Sequence, residues 1–401
     1  MKIVKLKDLT IDGKGTYGIA APAVDWQENL PTYLRITDIF DDGTLNFSGL
    51  KSVSDSNAGK YFLNPNDIVF ARTGGSTGRS YFYDGTDGKF VYAGFLIKFS
   101  LDSKKVNPKY IKYFCLSESY KKWVHSFNTG STRGNINAQT FGNLEIPLLE
   151  RPQQDKIVSF LDSIDQKIKI NKKTNDNLQQ QLRTIFKAEF TDSPELENIT
   201  QIPLSELCHV VTKGATPTTL GKPFVESGIN FIKAESILDD HSIDKSKFAF
   251  IDEETNALLK RSIIHVGDVV FTIAGTLGRF ALIDENVLPA NTNQAVAIIR
   301  ADVEKVLPEY IYTCFIGEWH TDYYAKRVQQ AVQANLSLTT IKSLPIPLLG
   351  EAKMREYLSL ILPLIKAIKT NEVQNEKLAA FRDNLLPKLM SAEIDVSAVQ
   401  L

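Results

Sequence analysis

Histidines and one glycine-rich segment are the residues of this chain whose types could support enzymatic chemistry. The five histidines lack the short spacing that metal ligands on one element require; they are His125, His209, His241, His265 and His320. The segment Thr73-Gly-Gly-Ser-Thr-Gly-Arg79 is rich in glycine, but it lacks the Gly-Lys-Ser/Thr ending that contacts phosphate and metal in a phosphate-binding loop. We therefore predict a glycine turn between two strands there, and no catalytic or metal site in the chain.

Basic side chains on turns remain as candidates, and their chemistry suits nucleic acid. An arginine guanidinium can contact phosphate or the O6/N7 edge of guanine. Arg79 and Arg279 stand out because each follows a glycine turn, and the polar segment 128–135 suits a loop facing DNA. A solvated surface position is the alternative for each residue alone. The residues predicted to bind DNA are Arg72, Arg79, Lys89, Thr132, Arg133, Lys213, Arg279 and Arg327.

Composition narrows the class of protein. The 401 residues include 46 Lys and Arg against 47 Asp and Glu, so a globally basic nucleic-acid binder is excluded while local basic surfaces are not. The length predicts two or more domains. Three separated cysteines are typical of a reduced cytosolic protein, and we expect them in cores. No signal peptide or apolar stretch near twenty residues is apparent, which predicts a cytoplasmic protein without a membrane span.

The chain contains an internal repeat of about 200 residues. Asn66-Asp-Ile-Val-Phe70 reappears as Gly267-Asp-Val-Val-Phe271 at an offset of 201. Ile146-Pro-Leu-Leu149 returns as Ile346-Pro-Leu-Leu349 at an offset of 200. Ordered matches at nearly one offset indicate a tandem duplication.

Each copy has two parts. Residues 1–149 and 202–349 contain short apolar runs bounded by Gly, Asn and Asp, which predict strands joined by turns, with short helices such as one over 108–124. Residues 152–190 and 351–390 are rich in Lys, Gln, Asn, Glu and Leu with almost no glycine, and they predict long helices.

Apolar residues in both long helices step by four and three, as in the seam of a coiled coil. We predict antiparallel pairing of the two helices, each roughly 55–60 Å long at 1.5 Å per residue. Docking of each helix on its own neighbouring domain is the alternative. The predicted seam consists of Ile157, Leu161, Ile164, Ile168, Asn171, Asn175, Leu178, Ile361, Leu364, Ile368, Asn371, Asn375 and Leu378.

With these motifs in this order, the chain resembles the specificity subunits of type I restriction-modification systems over essentially its whole length. The resemblance is carried by Gly13-Lys-Gly-Thr-Tyr-Gly-Ile19, by Asp67-Ile-Val-Phe-Ala-Arg-Thr-Gly74, by Asn291-Thr-Asn-Gln294 and by Ile-Pro-Leu-Leu leading twice into a long helix. It implies an α+β protein in which two tandem mixed α/β target recognition domains are separated by two long helices that form an antiparallel coiled coil, with a pseudo-two-fold repeat.

The implied domains are target recognition domains at 1–149 and 191–349, a spacer helix at 150–190, and a second helix with a C-terminal tail at 350–401. There is little helix before the first recognition domain, so the segment after Met390 is expected to complete the packing there.

The resemblance implies a non-catalytic DNA reader. It would bind a split, asymmetric site on double-stranded DNA, one half per domain, with helix length setting the spacing. It would recruit two methyltransferase subunits, which use S-adenosylmethionine to methylate adenine, and restriction subunits. No cofactor is expected in this chain. Two alternatives remain, a single-chain enzyme fragment with fused DNA-recognition domains and a structural scaffold or adhesin.

Overall fold

The computed structural model describes residues 2–127, 134–192, 199–321, 323–324, 335–391 and 393–394. The chain divides into two compact units. The first unit comprises residues Met1–Gln166 and Leu378–Leu401, and the second comprises Lys167–Lys377. Each unit therefore contains one globular copy of the repeat together with segments of both long helices.

The described residues of the first unit form three small sheets in its globular part. A two-stranded antiparallel ribbon pairs β1 with β10, and two four-stranded sheets have the orders β2-β9-β6-β7 and β3-β5-β4-β8. All pairs in these sheets are antiparallel except the parallel pair β4–β8. The strands are β1 (Lys2–Lys5), β2 (Thr16–Tyr17), β3 (Ala23–Val24), β4 (Thr32–Leu34), β5 (Lys51–Val53), β6 (Asp67–Ala71), β7 (Ser80–Tyr83), β8 (Phe90–Tyr92), β9 (Leu96–Ser100) and β10 (Glu145–Leu148).

The second unit has a similar arrangement, with a ribbon of β11 and β20 and sheets ordered β12-β19-β16-β17 and β14-β13-β18-β15. In the last of these sheets three strands match their counterparts, while the fourth strand, β15, pairs with β18 on the edge opposite to that of β3. The pair β13–β18 is parallel, as its counterpart is in the first unit. The strands are β11 (Thr200–Pro203), β12 (Cys208–Lys213), β13 (Ile229–Ile232), β14 (Ala249–Ile251), β15 (Ile263–Ile264), β16 (Val269–Thr272), β17 (Phe280–Leu282), β18 (Ala290–Thr292), β19 (Val296–Ala301) and β20 (Pro345–Leu348). The predicted internal repeat is confirmed at the level of sheet topology.

The predicted long helices are also confirmed, and each is 40 residues long. The prediction of one helix over 108–124 was wrong, because the Ser117 hydroxyl accepts a hydrogen bond from the Tyr120 amide and caps a new helix. The helices are α1 (Pro108–Phe114), α2 (Glu118–His125), α3 (Ala138–Gly142), α4 (Arg151–Phe190), α5 (Glu253–Leu258), α6 (Pro308–Ile316), α7 (Leu338–Lys342) and α8 (Glu351–Met390).

The repeated Asp-Ile/Val-Val-Phe motif begins the central strand of a sheet in both units. The Asp67 carboxylate is buried and accepts hydrogen bonds from the Asn64 amide (2.8 Å) and the Ser100 hydroxyl (2.6 Å). The buried Asp268 carboxylate accepts from the His265 amide (2.7 Å) and from the Arg300 guanidinium. Each carboxylate therefore ties the turn before its strand to the neighbouring strand, which accounts for the repeat of this residue.

The predicted glycine turn between two strands is confirmed as well. Gly74 and Gly78 have φ of 77° and 86°, and Gly275 and Gly278 have φ of 77° and 89°. Residues with a Cβ atom rarely adopt these φ angles, so glycine is needed at both ends of the turn. The turn joins β6 to β7 in the first unit and β16 to β17 in the second.

Each unit has a main core that includes its share of the long helices. In the first unit Ile157 and Leu161 of α4 pack with Leu386 and Leu389 of α8 and with residues of α1 and β10. In the second unit Leu182 and Phe186 of α4 pack with Ile361 of α8 and with residues of α6 and β16. The helices thus pack on each other and on the neighbouring domain. The predicted pairing of the two helices and the alternative, docking of each helix on its neighbouring domain, both hold in part. Cys115 and Cys314 are buried and Cys208 is half-buried.

Candidate nucleic-acid interface and helix pair

Arg79 and Arg279 follow the glycine turns and make the same contacts within their own units. The Arg79 guanidinium donates two hydrogen bonds to the Asp41 carboxylate, at 2.7 and 3.1 Å, and one to the Ile39 carbonyl. The Arg279 guanidinium donates to the Asp239 carboxylate, at 2.6 and 2.7 Å, and to the Ile237 carbonyl. Both arginines thus fasten a neighbouring hairpin turn to the glycine turn.

These contacts reduce the number of free N–H donors and the positive charge with which the two arginines could bind DNA. A guanidinium has five N–H donors, and three of them are used here. The paired carboxylate also neutralises its charge locally. The prediction that Arg79 and Arg279 contact DNA stays a prediction, and the geometry adds a positioning role that the sequence did not reveal.

Arg72 lies where β6 ends, and among the described residues it has no carboxylate partner. Its guanidinium lies 5.1 Å from the centre of the Tyr17 ring and donates weakly to Asn135 Oδ1 at 3.4 Å. The Tyr17 hydroxyl accepts a hydrogen bond from the Ala138 amide at 3.2 Å. A cation and an exposed aromatic ring are therefore held together beside Asn135.

The remaining predicted DNA-binding residues are distributed more widely. Lys213 is half-buried at the end of β12, and Lys89 is exposed immediately before β8. Thr132, Arg133 and Arg327 lie outside the described residues. The structure does not test DNA contact by any of these residues, so all stay predictions.

Asparagines pair the two long helices in the second unit. The side-chain amide of Asn171 donates to Asn375 Oδ1, and the side-chain amide of Asn371 donates to Asn175 Oδ1, both at 2.8 Å. Because the earlier residue of one helix contacts the later residue of the other, the helices run antiparallel, as predicted. The two contacts are equivalent when the helices are exchanged.

Similarity to known proteins decides the family. A model of the type I restriction modification DNA specificity domain matches the chain twice, over residues 1–180 and 197–377. The chain belongs to this family. Its two copies of the repeat are the two recognition domains of a type I specificity subunit.

Relatives in this family include specificity subunits of type I restriction enzymes. The chain is 24% identical to the type I restriction enzyme MjaIX specificity subunit of Methanocaldococcus jannaschii, over 73% of this chain and 70% of that protein. It is 21% identical to the HindI specificity subunit of Haemophilus influenzae, over 84% of this chain and 88% of that protein. The crystal structure of an S subunit from M. genitalium matches 97% of this chain and 95% of its own, with a TM-score of 0.52 and 16% identity. That likeness supports the same fold.

A charged cluster joins the long helices to the first recognition domain of this specificity subunit. The Asp165 carboxylate of α4 accepts from the Lys112 ammonium (2.6 Å), the Tyr113 hydroxyl (2.9 Å) and the Arg382 guanidinium of α8 (2.9 Å). The Arg382 and Asp165 side chains are 12% and 17% exposed. Burial alone would raise the pKa of Asp165, but Lys112 and Arg382 hold that pKa below its usual value. The cluster is therefore charged at neutral pH.

Sequence reasoning missed several of these residues. Asp41 and Asp239 follow Ile39 and Ile237 at one offset in both copies, so the repeat itself could have exposed them. Tyr17 stands in a motif used for the resemblance, but no local signal indicates that Arg72 lies over its ring. Asp165 falls outside the predicted seam, and its partners come from distant parts of the chain.

Among the described residues, no group of three or more His, Cys, Asp or Glu side chains could hold a metal ion. Within the same part of the chain, no helix combines the length and apolarity needed to span a bilayer.

Proposed function

We propose that this chain is the DNA-reading subunit of a type I restriction-modification complex and that it recognises a bipartite, asymmetric site. Each recognition domain reads one half-site, and the bases between the halves are not read. The observation that carries the proposal is the duplication, since the family model matches once per copy. Two copies of one fold with different side chains are suited to two different half-sites.

The catalytic steps belong to partner subunits in this proposal. Two methyltransferase subunits bind S-adenosylmethionine and methylate adenine, and restriction subunits cleave DNA. The target adenine must leave the base stack for methylation, so its pocket lies in the partner. The formal charge of −1 suits a subunit that shares phosphate contacts with partners, because non-specific affinity grows with the number of phosphates neutralised. The protein acts in the cytoplasm, where such a complex meets DNA.

A domain exchange tests the bipartite reading. Residues 1–149 are replaced by the first domain of another family member, and methylated adenines are mapped across a genome in cells that express the whole complex. We expect one half of the methylated site to change and the other half to stay the same. A change in both halves would contradict the assignment of one half-site to each domain.

Cofactor binding separates the proposal from the alternative of a single-chain enzyme. Isothermal titration calorimetry of the purified full chain with S-adenosylmethionine is expected to show no binding, while the complex with methyltransferase subunits binds the cofactor. Tight binding by this chain alone would support the enzyme alternative and contradict the assignment of cofactor binding to the methyltransferase subunits.

A further inference from the structure

The four-stranded sheet that contains β6 in the first recognition domain and β16 in the second has the same backbone pairing at one end of its strands in both domains. Tyr17 pairs with Ile97 in the first domain, and Lys213 pairs with Ala297 in the second. The next residue continues the match, since the Gly18 amide donates to the Leu96 carbonyl and the Gly214 amide donates to the Val296 carbonyl. Tyr17 and Lys213 are therefore structurally equivalent.

Glycine fixes this backbone in both domains. A Cβ atom on Gly18 would collide with the backbone carbonyl oxygen of Tyr92, and one on Gly214 would collide with that of Thr292. Each glycine lies in close contact with the backbone of a neighbouring segment. Because backbone atoms cannot move aside as the end of a flexible side chain can, no larger residue fits at Gly18 or Gly214. The residue before each glycine is held in one position.

The same backbone match holds where β6 and β16 end. The Arg72 amide donates to the Phe95 carbonyl at 3.0 Å, and the Ile273 amide donates to the Ala295 carbonyl at 2.8 Å. Three pairs of equivalent positions thus lie at the same end of the strands in the two sheets, and we call this end the rim. The rim consists of Tyr17, Arg72 and Phe95 in the first domain and of Lys213, Ile273 and Ala295 in the second.

Side chains on the rim differ in chemistry between the two domains. Tyr17 and Phe95 are 42% and 59% exposed, and Arg72 lies over the Tyr17 ring. In the second domain Ile273 is buried, and Lys213 supplies the positive charge. A fixed backbone with different side chains is what reading two different half-sites requires.

Charge pairing distinguishes the rim from the arginines that follow the glycine turns. Among the described residues, neither Arg72 nor Lys213 has a carboxylate partner, whereas Arg79 and Arg279 are each paired with an aspartate. An unpaired cation attracts an anionic partner such as the DNA duplex, while a paired one has lost most of that attraction.

We infer that the solvent-accessible side chains of the rim contact base edges of duplex DNA and determine which half-site each domain reads. This inference rests on the proposed function and deepens it. Arg72 can bind the O6/N7 edge of guanine through its planar fork, and Phe95 can contact a thymine methyl group. In the second domain Lys213, at the position equivalent to Tyr17, offers guanine a different donor.

The test transplants one rim onto the other domain. The first domain receives the second domain's residues in the variant Y17K/R72I/F95A, and the full chain is expressed with its partner subunits. Methylated adenines are then mapped. We expect discrimination to fall roughly 5- to 150-fold at one or more base positions of the first half-site. The second half-site stays unchanged, which also shows that the variant folds and assembles.

Two further variants complete the design. Lys213→Ala is expected to relax only the second half-site. Phe47→Ala removes another exposed aromatic ring of the first domain, 56% exposed and outside the rim, and should leave both half-sites unchanged.

Three outcomes would overturn the inference. They are an unchanged first half-site in the triple variant, a change in both half-sites, and an equal change in Phe47→Ala. A wild-type complex without a bipartite site would instead contradict the proposed function, so the two failures are distinguishable.

Discussion

The long helices are attached to the two recognition domains by different chemistry at equivalent positions. In the first unit the contact is the charged cluster of Asp165, Lys112 and Arg382. In the second unit the repeat places apolar or aromatic residues at the same positions, and all are buried; they are Ile365, Tyr312 and Leu182. One fold therefore accepts either an ion network or an apolar cluster at this junction.

The difference teaches how each helix segment is matched to its own domain. Buried ion pairs are weak contributors to net stability, because desolvation offsets most of the attraction between the charges. A mismatch is costly, however. Lys112 facing an apolar helix segment would be a half-buried cation without a carboxylate partner, and Arg382 against Tyr312 would keep only the exposed carboxylate of Asp383. We infer that the asymmetry discourages pairing of a helix segment with the wrong domain.

The largest effect is expected from removing the carboxylate of the charged cluster. Asp165→Ile introduces the residue found at the equivalent position of the second unit. It leaves Lys112 without a carboxylate partner and leaves Arg382 with only the exposed carboxylate of Asp383. Breaking this partly buried ion network should lower the free energy of unfolding by about 3 kcal/mol, the lower end of the range for a buried pair. Urea denaturation of the full chain measures this change.

The matched control carries all three residues of the second unit. The triple variant D165I/K112Y/R382L replaces the three charged residues by an apolar cluster. It should unfold within about 1–2 kcal/mol of the wild type, since apolar replacement of an ion network is often neutral. The remaining cost comes from the Tyr113 hydroxyl, which loses its acceptor. If the single and triple variants were equally unstable, lost packing rather than unpaired charge would explain the effect, and the comparison would fail.

A second difference between the domains concerns pH. The second domain has His241 and His320 where the first has Gly43 and Tyr120. Both histidines are 8% exposed. Burial lowers the pKa of each from 6.5 to about 4, with Arg183 adding to the effect at His241 and His241 adding to it at His320. His241 also faces Asp239 and Asp240, which act in the opposite direction.

The sign of the pH effect follows from these pKa values. Each folded-state pKa lies below the unfolded value of 6.5, so the unfolded state takes up protons first as the pH falls. Their contribution to stability is full above pH 6.5 and is lost as the pH falls towards 4. We expect a loss of about 2 kcal/mol per histidine between pH 7 and 5. Burial raises the pKa of Glu372, which acts in the opposite direction in the same unit.

A variant with the first domain's residues isolates the histidines. H241G/H320Y keeps Glu372, so the difference between wild-type and variant unfolding free energies reports the histidines alone. His241 has a φ of 63°, which glycine adopts readily. This difference should change with pH between 7 and 5. A constant difference across that range would show that the histidines do not titrate there.

The limits of prediction from sequence follow from the range of each interaction. The repeat and the long helices were predictable because their signals are local, such as apolar spacing in α4 and α8. The pairing of Arg79 with Asp41 joins residues 38 positions apart. The cluster around Asp165 joins residues up to 217 positions apart. Such contacts depend on how the sheets and helices pack, which residue spacing does not encode. Segment 128–133 lies outside the described residues, so its predicted role in DNA binding stays a prediction.

The smallest effect is expected at the asparagine pairs, where both copies of the repeat have the same residues. Asn175→Ala removes the acceptor of Asn371 and a donor to the Ile368 carbonyl, which should cost about 1–2 kcal/mol in unfolding free energy. Asn177→Ala is the matched control, since Asn177 is exposed on the same helix and gains the same helix propensity. Asn375→Ala removes one acceptor of Asn171, whose side-chain amide also donates to Gln374 Oε1, so it should cost less than Asn175→Ala in the same urea titration. An equal or larger cost at Asn375 would show that the contacts with Ile368 and Gln374 do not set the difference between the two pairs.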